Sequence, residues 1–129
     1  MATSPASRAS GFADAFEIEL AHCVRPHIPA DIPQPSGWVR SMMESWDLET
    51  DLVEAVEFVA VAFLDELQED VILMLHSGWP IDADNGELAS PYAAVDDKRG
   101  TLYMSFQVQG RTILSFDPIN LKKLLGGLI

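Results

Sequence analysis

At 129 residues with a formal net charge of -12 and one cysteine, the chain is long enough to bury a core and cannot form an intramolecular disulfide. No Lys or Arg falls between Arg40 and Lys98, while fifteen Asp and Glu do, so that segment repels phosphate and attracts basic protein. The longest apolar runs, Phe58 to Leu64 and Val71 to Leu75, fall far short of the ~20 residues of a spanning helix, which argues against a membrane protein.

MATSPASRAS has no apolar signal core, so residues 1–10 are expected to be a disordered tail on a cytoplasmic protein, with one domain over 11–129. Ser10 would cap a first helix from Gly11 to Val24, with Phe12, Phe16, Leu20, Cys23 and Val24 on its apolar face. Four prolines between Arg25 and Pro35 exclude a helix and predict a stiff, extended linker. Ser36 can cap a short second helix carrying Trp38, Val39, Met42, Met43 and Trp46 on one side. A third helix is predicted from a cap at Thr50 to about His76, where a histidine charge suits the helix end and Gly78 and Pro80 stop the helix.

The period then changes. Leu102, Met104, Phe106 and Val108 alternate with Tyr103, Ser105, Gln107 and Gln109 as a strand. Gly110 turns the chain into a partner strand, Thr112 to Phe116, and Tyr92 to Val95 supplies a third. Pairing about Gly110 puts Val108, Phe106 and Ile113 on one face and Tyr103, Leu114 and Phe116 on the other, so both faces are expected to be partly covered. Asp117-Pro118 reads as a cap and first residue of a last helix carrying Ile119, Leu121, Leu124 and Leu125, stopped by Gly126-Gly127. The order predicts an α+β fold: three N-terminal helices, a small antiparallel β-meander and a short C-terminal helix.

Catalytic and metal-binding patterns are weak. Asp82-Ala-Asp-Asn-Gly-Glu87 resembles a calcium loop, but neither frame places acids and glycine at the required positions, and Asn85-Gly86 favours a turn instead. His22, Cys23, His27 and Asp31 offer zinc-type donors, yet Cys23 falls on an apolar face and Pro26 interrupts the run, so a buried structural cysteine is expected and no metal or cofactor is assigned. Paired carboxylates such as Asp65 and Glu69 are expected of any segment this acidic, and no phosphate loop or nucleophile elbow is present. An enzyme built on His76, Asp82 and Asp84 is the weakest of three readings.

One pattern is more specific. On a helical wheel, Leu52, Val53, Val56, Val59, Ala60, Phe63, Leu64, Leu67, Val71 and Met74 form the core face of the third helix. Asp51, Glu54, Asp65 and Glu69 form the opposite face, with Phe58 and Ala62 among them. Either another part of the chain covers Phe58, or it anchors a partner inside a ring of acids. The latter describes a non-enzymatic protein that neutralises a basic partner such as a toxin or nucleic-acid enzyme, as immunity proteins and DNA-mimicking inhibitors do, without binding nucleic acid itself. The alternative is a small acidic chaperone, expected as a homodimer, holding a client segment on Trp38, Met42, Met43, Trp46 and Trp79. Charge alone also serves plain solubility.

Overall fold

A computed structural model describes residues 5–32, 37–47 and 50–125. The sequence-predicted order is present: helices α1 (Pro5–Val24), α2 (Trp38–Met43) and α3 (Leu52–Leu75), strands β1 (Ser90–Asp96), β2 (Thr101–Val108), β3 (Arg111–Ser115) and β4 (Ile119–Asn120), and helix α4 (Leu121–Leu125). All strands are antiparallel; β2 is central, with β1 on one side and β3 then β4 along the other. The fold is α+β.

One buried cluster draws on every layer: Phe12, Phe16 and Leu20 of α1, Val39 and Met43 of α2, the inner face of α3, and the alternating Leu102, Met104, Phe106 and Val108 of β2. The alternation makes β2 the floor on which the helices pack. The opposite sheet face carries the exposed Tyr92 and Tyr103. Along α3 the expected core face is buried from Val56 to Val71, joined by Ala55 and Gln68, while Met74 at its far end is exposed.

Several boundaries differ from the sequence reading. The first helix starts at Pro5, so the expected tail is helical from its fifth residue and Ser10 is not the cap. Proline at a first helical position loses no hydrogen bond, and the Ala-rich run behind it favours helix. Ser36 lies outside the described residues. Glu17 of α1 satisfies the start of α2 instead, its carboxylate accepting the Gly37 and Val39 amides at 2.9 Å each. An ion pair between Arg40 and Asp14 ties the same two helices. After α1 the chain makes a 3-10 turn over Arg25–His27 before Ile28 extends, and Ile32 is buried in the core.

The cap of α3 is Asp51 rather than Thr50. The helix ends at Leu75, where His76 takes a left-handed conformation, φ 55°, and donates its amide to the Ile72 carbonyl. Left-handed backbone costs about 1–2 kcal/mol for a non-glycine residue. His76→Gly is therefore expected to raise unfolding free energy by about 1 kcal/mol, read by urea denaturation.

The second hairpin turns on Gln109 and Gly110, both at positive φ, which suits a two-residue loop. A bulge between Phe106 and Gln107 then shifts the register, so Leu114 pairs with Phe106 and shares its face. This corrects the expected assignment of Leu114 and Phe116 to the other face: one extra residue in a strand reverses every side chain beyond it. Phe116 is buried against Phe106, ring centroids 5.9 Å apart.

Ile119 and Asn120 are also not helical. They pair with Leu102 and Thr101 as β4, which delivers Ile119 to the core. The cap of α4 is Asn120, whose Oδ1 accepts the Lys123 amide at 3.3 Å, and not Asp117.

Candidate protein-binding surface

Asp51, Glu54, Phe58, Asp65 and Glu69 lie along the outer side of α3, at spacings of three, four, seven and four residues. Their spacing keeps them on one stripe because α3 is a regular helix of 24 residues. Glu54, Asp65 and Glu69 are exposed and Asp51 is half-buried. Phe58 is 53% exposed. The ring packed on it is Trp46, in the segment leading into α3, with centroids 5.8 Å apart. Val61 and Ala62, half-buried, continue the apolar strip one turn on.

Three ion pairs are present among the described residues, Arg40–Asp14, Arg99–Asp96 and Arg111–Asp82, and none involves a stripe acid. Asp65 and Glu69, and equally Glu66 and Asp70, are like charges one helical turn apart. Such pairs destabilise a helix by about 0.2–0.5 kcal/mol each.

Other acids are occupied by the fold. Glu57, from the same helix, reaches the free edge of the sheet and accepts the Val95 amide at 2.8 Å. Alternation points Pro91 off that edge as well, and proline has no amide to offer. The β1 edge thus resists pairing with another strand.

The run from Asp82 to Glu87 forms a tight turn. The Gly86 amide donates to the Asp82 carbonyl, the Asp84 amide to Asp82 Oδ1, and the Glu87 amide to Asn85 Oδ1, with Gly86 at φ 73°. Asp82 is buried and also paired with Arg111, which joins the turn to β3. The Asp84 amide and the Arg111 guanidinium hold the Asp82 carboxyl below its usual range despite burial. A lowered carboxylate pKa adds stability that is full above pH ~4 and is lost as pH falls through the lowered value. Asp82→Asn should therefore be less stable than the wild type at pH 7, with the gap closing towards pH 2, as followed by thermal melting across pH.

Of His76, Asp82 and Asp84, Asp82 is held by the turn and by Arg111, while His76 and Asp84 are exposed. The zinc-type donors also separate. Cys23 donates to the Asp117 carbonyl at 3.4 Å, the His27 ring meets Phe116 edge-on at 5.2 Å, and His22 and Asp31 are exposed. No group of three His, Cys, Asp or Glu among the described residues could hold a metal ion. Burial, with the Glu19 and Asp117 charges, pushes the Cys23 thiol up to about 11. Little thiolate exists at neutral pH, so iodoacetamide at pH 8 is expected to alkylate Cys23 at least about tenfold more slowly than glutathione, by mass spectrometry.

The expected chaperone surface is only partly covered, with Trp38, Met42, Trp46 and Trp79 half-buried. Trp38 packs on Phe63 at 6.1 Å, Trp79 on Phe106 at 5.5 Å, Met43 is buried, and Met42 lies against the core. Further apolar side chains are exposed where α3 ends. Leu73 is 71% exposed, and Leu75 is also exposed. Ile81 and Leu88, paired across an isolated bridge, abut Gly78 nearby. Leu73 and Leu75 sit in the strongly apolar run Val71 to Leu75, where composition alone reads as core.

No helix among the described residues is long and apolar enough to cross a membrane. No protein-family profile, curated protein or solved structure matches the chain.

Proposed function

We propose that this is a non-enzymatic acidic binding protein that covers the basic surface of a partner protein, such as a toxin or a nucleic-acid enzyme, in the manner of an immunity protein or a DNA-mimicking inhibitor. The observation that carries the reading is the stripe along α3: four carboxylates outside every described ion pair are aligned with a phenylalanine that remains 53% exposed. Trp46 packs on that ring yet leaves more than half of the residue exposed, and carboxylates one turn apart weaken the helix that holds them. Both costs are offset if a cationic surface docks there.

The test is capture from a nuclease-treated lysate on tagged wild type and on a variant with Asp51→Asn, Glu54→Gln, Asp65→Asn and Glu69→Gln. A stoichiometric basic protein held by the wild type, released by moderate salt and absent from the variant supports the reading. Equal retention by both reduces the stripe to a solvated face.

A second reading, a chaperone for a client segment, is favoured by a different observation, the exposed Leu73, Leu75, Ile81 and Leu88. Its client would resist salt and survive the charge substitutions. A homodimer expected of that reading would show in light scattering.

A further inference from the structure

The stripe is uneven, and its N-terminal end carries two aromatic rings. Phe58 faces solvent there, with Trp46 tilted against it at 45° between ring planes. Glu54 lies one turn before Phe58 on the same face, and Asp51 one turn before that. An apolar partner group docking on these rings would strip water from both carboxylates without replacing it. An ammonium holds its own water tightly and acts as a point charge. A guanidinium is flat, weakly hydrated, stacks on aromatic faces and still projects N–H donors from its rim.

We propose that the Trp46–Phe58 pair is the docking point for an arginine side chain of the basic partner, its guanidinium lying on the exposed face of Phe58 and donating to Glu54 or Asp51. The inference rests on the neutraliser reading and narrows it. The partner's main anchoring cation is arginine and seats at the start of α3, while Asp65 and Glu69 receive flanking cations of either type.

The experiment titrates fluorescently labelled hexa-arginine and hexa-lysine peptides into the full chain at low salt. Wild type is expected to bind hexa-arginine at least about fivefold more tightly than hexa-lysine. Phe58→Leu should weaken hexa-arginine about twofold to thirtyfold, the range for a cation over an aromatic face, and weaken hexa-lysine less. Phe58→Trp should keep the arginine preference, which separates ring chemistry from a folding defect. Unaltered melting of Phe58→Leu provides a further check, because the side chain is already more than half exposed. If both peptides bind wild type and Phe58→Leu equally well but fail on the four-carboxylate variant, the arginine anchor is wrong and the neutraliser reading stands. If neither peptide binds the wild type, or both bind the four-carboxylate variant unchanged, both ideas fall.

Discussion

Replacing Asp51 and Asp65 by Asn and Glu54 and Glu69 by Gln is expected to weaken binding of a basic partner roughly tenfold to hundredfold, chiefly by slowing association. Each exposed ion pair is weak alone, so the effect depends on four aligned charges acting together. The same variant should melt within a few degrees of the wild type. Removing the Asp65–Glu69 repulsion favours the helix, while losing Asp51 and Glu54 near its positive end costs a similar amount. A variant that folds normally yet binds poorly separates a recognition face from a structural one. Unchanged affinity would leave the carboxylates as solubilising groups.

A large loss of stability is also expected at Gln68, the one polar side chain buried on α3. Its side chain is buried within α3, and Nε2 donates to the carbonyls of Trp79 at 3.1 Å and Ala89 at 2.8 Å. These bonds hold both ends of the 79–89 turn against the helix, and Ala89 in turn leads into β1. Gln68→Leu fills the space but leaves both carbonyls without that donor, and an unsatisfied buried acceptor costs about 1–3 kcal/mol. A loss of about 2–4 kcal/mol is expected by urea denaturation, with a fall in melting temperature of roughly 10 °C or more. A loss under about 0.5 kcal/mol would mean that water replaces the amide, and that the turn is not held by Gln68.

The long periodic elements were legible in sequence. In α3 the repeat from Val56 through Val59, Ala60, Phe63, Leu64 and Leu67 to Val71 survives because a helix packed along its length buries one stripe. Leu102 to Val108 alternates because one face of β2 meets the core. What stayed illegible was set by partners distant in sequence. Glu17 and Glu57 look like two more solvated acids until the fold brings the α2 amides and the β1 edge to them. Gln68 lies at the margin of the core face, and nothing local announces the carbonyls it meets. The bulge at Phe106 and Gln107 and the strand at Ile119 also depend on the sheet, since an isolated Pro-Ile-Asn-Leu segment is a credible helix start. At the candidate site, spacing alone aligned Asp51, Glu54, Phe58, Asp65 and Glu69. The ring of Trp46 on Phe58 required the turn after α2.

A stripe of carboxylates on α3 that draws in a basic protein acts on the rate of encounter. The most direct measurement is the association rate of the captured partner, by stopped flow, across a range of ionic strengths. The wild-type rate is expected to fall steeply with salt, about tenfold or more from low to physiological ionic strength, with a much flatter dependence for the four-carboxylate variant. A rate indifferent to salt, or the same salt dependence in both proteins, would contradict it.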